Sequence, residues 1–150
     1  MYQDTITLFN RKRGSSATGD TWYPTVIHNV NLNIDRAAIR EKYGTESQDT
    51  CMMFVSYVRK NGEIRIVCDP ETEKPWMPPK AWDKTIDSLT FNPDGDFFWM
   101  GEWTEGIVSD REYSPDGFYA KMNREHDFVF TISSVGGPYS VIPHFEIMGK

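Results

Sequence analysis

The chain has 150 residues, of which 39% are apolar and 14% aromatic, and a formal net charge of −6. That length suits one domain with a sizeable core, and the aromatic content excludes a globally disordered chain. No apolar run approaches the ~18 residues of a membrane span. The opening MYQDTITLFN lacks the basic-then-apolar order of a signal peptide, so synthesis in the cytosol is expected.

Charge is uneven along the chain. Residues 1–60 carry 8 Lys/Arg against 6 Asp/Glu, residues 61–127 carry 7 against 15, and residues 128–150 carry 1 against 1. The acidic middle argues against a duplex-binding face, which needs clustered cations. The single basic cluster, Arg11-Lys12-Arg13, opens the Gly/Ser/Thr-rich stretch RKRGSSATGD. It reads as a solvated flexible loop over residues 10–20, with contact to an acidic partner as the alternative.

Thr5 to Phe9 has strand alternation, with Ile6 and Leu8 on one face and Thr5 and Thr7 on the other. Trp22 to Ile34 resumes it, placing Val26, His28, Val30, Leu32 and Ile34 on one face. Pro24 removes a ladder donor, so this strand is expected at an edge, to begin after Pro24, or to bulge there. Asp35 to Tyr43 reads as a helix capped by Asp35 and ended by Gly44. Cys51–Val58 and Glu63–Cys68 flank Asn61-Gly62 and predict a two-residue hairpin. In that register Tyr57 faces Ile66 and Arg59 faces Ile64. Cys51 and Cys68 are then too far apart for a disulfide, and two packed thiols are expected.

Residues 69–80, DPETEKPWMPPK, form a Pro-rich acidic connection, and Pro78-Pro79 can open a short turn through Trp82. Asn92-Pro93-Asp94-Gly95 is a turn signal, flanked by expected strands at Ser88–Phe91 and Phe97–Met100. A further short strand is expected at Gly106–Val108, then a helix over Asp116–Asn123 with Phe118 and Met122 on one face. The end of the chain reads as a hairpin about Gly136-Gly137. It pairs Phe145 with Phe128, Pro143 with Phe130 and Val141 with Ile132, which leaves Ile142 and His144 on the opposite face. Apolar residues continue to Ile147 and Met148, so this terminus is expected to be built into a structure or an interface. Many short strands, two short helices and no βαβ alternation predict a single mainly-β domain, a small barrel or sandwich with short inserted helices.

The residues present do not assemble a recognisable catalytic pattern. His28, His126 and His144 show no metal spacing, and Ser133-Ser134 followed by Gly136-Gly137 is not a nucleophile elbow. Asp94-Gly95-Asp96 is better explained by a β-turn than by a calcium loop. Trp22, Trp76, Trp82, Trp99 and Trp103 suit core or subunit contacts, with sugar stacking as the rival reading. FFWMGEW (97–103) is too continuous for one strand face, which predicts burial on both sides, partly by a neighbouring subunit.

TITLFN followed by TWYPTVIHNVNLN resembles the opening of small tailed-phage head–tail connector proteins. KPWMPPKAW and the ending VFTISSVGGPYSVIPHFEIMGK resemble an uncharacterised family encoded among phage and prophage morphogenesis genes. The resemblance implies a neck component of the head-completion or stopper type, a β-barrel acting as a homo-oligomeric ring in the virion. Such a protein is not an enzyme and needs no cofactor or metal. Its partners would be a portal-side adaptor and tail-side neck or tail proteins, with genomic DNA passing through without specific binding. The near alternatives are a tail terminator or a minor capsid protein, and from another class a carbohydrate-binding module. The candidate interface residues are Arg11, Lys12, Arg13, Trp76, Trp99, Trp103, Ile142, His144, Ile147 and Met148.

Overall fold

Alternating apolar residues along six strands close a β-barrel in this protein. A computed structural model describes residues 3–35 and 50–150. Among them are strands β1 (Asp4–Lys12), β2 (Thr21–Asp35), β3 (Thr50–Lys60), β4 (Glu63–Val67), β5 (Glu73–Pro75), β6 (Phe97–Trp99), β7 (Val108–Ser109), β8 (Val129–Tyr139) and β9 (His144–Gly149). A 3-10 turn (Asp110–Tyr113) and the helix α1 (Phe118–Glu125) lie between β7 and β8. The helix expected at residues 35–43 falls outside the described residues, apart from Asp35, whose backbone ends β2.

The barrel runs β1-β2-β3-β9-β8-β6 and returns to β1, every neighbour antiparallel. Closure leaves these six strands without a long open edge, the usual liability of a sheet protein. β4 and β5 extend from β3, and β7 lies beside the start of β2. Inward side chains alternate as the pleat requires: Ile6 and Leu8 from β1, Met53 and Val55 from β3, Phe98 from β6, Phe130 and Ile132 from β8, Phe145 and Ile147 from β9.

A second apolar layer sits outside the barrel wall. Phe9, Phe97 and Val129, the outward neighbours of Leu8, Phe98 and Phe130, pack with Trp22, Phe118 and Met122. Phe97 stacks on Phe9 at 4.8 Å between ring centroids and meets Trp22 edge-on at 4.9 Å. Phe97 and Phe98 are therefore both fully buried. The chain's own α1 supplies the outer cover, where a neighbouring subunit was expected to contribute. Phe118 and Met122 are the buried face of α1, as their spacing predicts.

The Asn61-Gly62 hairpin has the expected register, with Tyr57 opposite Ile66 and Arg59 opposite Ile64. The Asn92–Gly95 turn is present, closed by Asp96 N–H donating to the Asn92 carbonyl at 3.1 Å. Of the strand expected at Ser88–Phe91 there is a lone bridge between Leu89 and Trp76. The expected 69–80 connection contains β5, and the 10–20 loop is shortened because β1 continues to Lys12.

Two expectations require correction. β2 runs through Pro24, opposite Phe9, and bulges later, where His28 and Asn29 together oppose Thr5. Asn29 takes a φ of 60° there. The extra residue reverses the alternation, so Ile27 faces inward before the bulge and Val30 and Leu32 after it. Val26 and His28 are left half-buried, not on the core face with Val30.

The terminal hairpin turns at Ser140–Pro143, not at Gly136-Gly137. Gly136 and Gly137 lie within β8, where the ladder shifts between Gly136–Glu146 and Tyr139–His144. Gly137 has a φ of 104°, and a Cβ on Gly136 would lie 2.7 Å from the Tyr139 hydroxyl. The glycines thus serve a bulge, which makes the same demand for positive φ as a tight turn. Phe145 consequently pairs with Val55 of β3 instead of Phe128, and Val141 is 97% exposed instead of facing Ile132.

Candidate interaction surface

The tip of the β8–β9 hairpin is the most exposed apolar feature of the described residues. Val141 is 97% exposed, Ile142 70% and Tyr139 44%. Its base is held by polar contacts. The Tyr57 hydroxyl donates to the Tyr139 carbonyl at 2.7 Å, and His144 Nδ1 donates to the Ile142 carbonyl at 2.6 Å. His144 Nε2 lies 3.1 Å from a Glu146 carboxylate oxygen. The imidazole also stacks obliquely against Tyr139 at 5.1 Å and approaches Phe54 at 5.8 Å. An apolar tip on a fixed base loses little conformational entropy on docking, which favours association.

Of the candidate interface residues, the fold brings Ile142 and His144 together here, with Met148 further along β9. Met148 is half-buried on the outer barrel face, opposite Met52. Ile147 is fully buried in the barrel interior and presents no surface, because odd-numbered residues of β9 point inward. Tyr139 and Val141, absent from the expected set, complete the tip. A turn at Val141-Ile142-Pro143 would have marked them, had Gly136-Gly137 not offered a stronger turn signal.

The tryptophans lie elsewhere. Trp76 packs on Phe145 at 4.9 Å. Trp99 stacks against His126 at 4.8 Å, and a Cβ on Gly101 would collide with its ring. Trp103 stands edge-on to Phe9 and Phe118 and donates its indole N–H to the Gly106 carbonyl at 2.9 Å. Trp22 and Trp82 are buried, Trp76, Trp99 and Trp103 are half-buried, and all five rings pack within the fold.

The basic cluster divides. The Arg11 guanidinium pairs with Asp20 and lies 5.6 Å from the Trp22 ring, while its backbone N–H donates to Asp96 at 2.9 Å. Arg13 reaches Asp94 at 3.4 Å from an exposed position, and Lys12 is exposed. Arg11 is therefore a structural residue, not part of a solvated loop. Burial alone would raise the Asp20 pKa, but the Gly14 amide and the Arg11 guanidinium outweigh it and hold the carboxyl below its ordinary value.

Asp96 is the most buried carboxylate of this region. It accepts hydrogen bonds from Asn10 Nδ2 at 2.8 Å, Arg11 N at 2.9 Å and Asn92 N at 3.0 Å. Burial outweighs these donors and pushes its pKa up to about 6. All three donors belong to the fold, so the group locks the 92–96 turn to β1. His28 is satisfied in a similar way, with Thr5 Oγ1 at 3.0 Å and Glu102 at 3.4 Å. Cys51 and Cys68 are free, buried thiols pushed up to about 12 and about 11 by burial. Among the described residues, no three His, Cys, Asp or Glu side chains cluster as a metal site.

No curated protein and no solved structure matches this chain. A model of a family of unknown function, DUF6751, matches residues 1–150, and the chain belongs to that family.

Proposed function

We propose that this protein is a non-enzymatic structural subunit of a tailed-phage virion, forming a homo-oligomeric ring at the head–tail neck as a head-completion or stopper component. The observation that carries this reading is the β8–β9 tip, where Val141 and Ile142 stand in solvent on a base pinned by Tyr57 and His144. An apolar feature held out this way contributes to stability only when a partner covers it. The closed barrel supports the same reading, since it supplies a rigid body from which such a tip can project. The sequence resemblance at both chain ends and in KPWMPPKAW supplies the location, with a portal-side adaptor and a tail-side protein as partners. An acidic middle segment, 7 Lys/Arg against 15 Asp/Glu in residues 61–127, suits a conduit that does not grip passing phosphates. The aromatic packing of the five tryptophans disfavours the sugar-binding alternative.

The test is assembly. Sedimentation and electron microscopy of purified protein are expected to show rings, and virions of the encoding phage are expected to contain the protein at the neck. A protein that stays monomeric and neither binds a portal-side partner nor co-purifies with particles would overturn the proposal.

A further inference from the structure

His144 stands at the foot of the exposed tip, and its side chain is 18% exposed, which leaves little room for water to replace a lost bond. Its ring nitrogens face two acceptors. Nδ1 lies 2.6 Å from the Ile142 carbonyl oxygen, and Nε2 lies 3.1 Å from a carboxylate oxygen of Glu146. A carbonyl and a carboxylate accept hydrogen bonds and donate none. A neutral imidazole carries a single N–H, so it satisfies one of these contacts and turns a lone pair toward the other. The imidazolium satisfies both. The faces of the ring suit a cation as well. The Tyr139 ring lies 5.1 Å away and the Phe54 ring 5.8 Å, inside the ~6 Å range of cation–π attraction. His28 differs in this respect. Its Nδ1 meets the Thr5 hydroxyl at 3.0 Å, which can donate or accept, and its Nε2 meets Glu102 at 3.4 Å, so a neutral ring satisfies both.

We propose that His144 is a proton-operated clamp on the β8–β9 turn: the charged ring ties Ile142 to Glu146 and fixes the Val141–Ile142 tip, and loss of its proton releases one of the two contacts. Glu146 is the firm partner, because its backbone pairs with Phe54 of β3 on one side and Gly136 of β8 on the other. Ile142 is the loose one. It lies in the turn, and with Val141 it is too exposed to be held by its own packing. Tyr57 anchors the turn at the Tyr139 carbonyl, and His144 anchors it at Ile142. The groups facing the imidazole are Glu146 from β9, the Tyr139 phenol from β8 and the uncharged Phe54 from β3. The cation of Arg59, also on β3, lies 5.9 Å from the Tyr57 ring. Histidine is the side chain that ordinarily changes charge between about pH 5 and 8. The clamp is therefore closed in mild acid and opens as pH rises through that range. It acts on the order of the tip whatever covers the tip, so it stands apart from the ring reading.

Backbone nitrogen relaxation of Val141 and Ile142, measured at about pH 5 and about pH 8, tests the clamp. In the wild type the order parameters are expected to fall from about 0.85 to below about 0.6, the usual values of rigid and flexible backbone. Glu146→Gln is expected to remove most of that change, because a side-chain amide can donate to a neutral Nε2 as well as accept from a charged one. His144→Gln, which carries no titrating group, is expected to show none. Asp96 is present in all three proteins, so its own pH dependence cannot produce a difference between them. Equal order parameters at the two pH values in the wild type would overturn the clamp. A tip that loosens in either variant as much as in the wild type would overturn it too.

Discussion

The Tyr57 hydroxyl donates a hydrogen bond of 2.7 Å to the carbonyl of Tyr139, tying the inner face of β3 to the point where β8 turns outward. Tyr57 itself is buried, and its ring lies 5.4 Å from Phe145. The bond is the hinge pin of the exposed tip. It connects a core residue, whose position the barrel dictates, to the residue from which Val141 and Ile142 project.

Tyr57→Phe keeps the ring packing and removes only that bond. The expected cost is about 1 kcal/mol of stability, the usual net worth of one hydrogen bond. Amide exchange is expected to quicken at residues 139–144 and to stay unchanged at β1 and β6. Uniform acceleration across the barrel would show that Tyr57 supports the whole core and not the tip in particular.

Asp96 sets a pH dependence with a definite sign. Its folded pKa of about 6 lies above the ordinary 3.8, so the folded state holds the proton more tightly. Its contribution to stability is full below about pH 4 and is lost as pH rises through about 6. Between pH 7 and pH 4.5 the wild type is expected to gain stability from this group, of order 2 kcal/mol. Asp20, whose pKa is lowered, acts with the opposite sign, below about pH 4. Urea unfolding at several pH values, comparing wild type with Asp96→Asn, checks this. An identical slope in both proteins would remove Asp96 as the source.

Arg11 and its two basic neighbours are expected to behave differently. Arg11→Ala removes the partner of Asp20 and the cation beside Trp22, and is expected to lower stability by about 1–2 kcal/mol. The double variant Lys12→Ala with Arg13→Ala is expected to stay within about 0.5 kcal/mol of wild type, as exposed substitutions do. Thermal melts of the two proteins decide the matter, and equal losses would contradict the division.

Deletion of Phe145–Lys150 is expected to abolish cooperative folding. The segment carries most of β9, which pairs with β3 on one side and β8 on the other. Phe145 and Ile147 are fully buried in the barrel. The Lys150 backbone also exchanges two hydrogen bonds with Thr131, of 2.9 and 3.0 Å. Near-ultraviolet circular dichroism of the truncated protein should lose its aromatic signal. A truncated protein with native dichroism and a cooperative melt would show that the barrel closes without β9.

Local patterns decided much of this protein. The Asn61-Gly62 hairpin could be read residue by residue, because a two-residue turn and an alternating strand leave one register that keeps the apolar face together. The Phe118–Met122 face of α1 was legible in the same way, from a spacing of four. The mainly-β class followed from the number of short alternating segments.

Tertiary structure alone decided where the bulges fall and which strands meet. A glycine pair supplies positive φ to a hairpin turn or to a bulge, and nothing local distinguishes Gly136-Gly137 in one role from the other. The choice is made by β3, which pairs with β9 and draws Phe145 opposite Val55, sending the turn on to Ser140–Pro143. The bulge at His28-Asn29 likewise depends on barrel closure, since β2 must leave β1 and join β3. Those two choices bury Ile147 and expose Val141 and Ile142. The exposed apolar tip therefore rests on long-range pairing, while the strands that carry it rest on the local alternation of the chain.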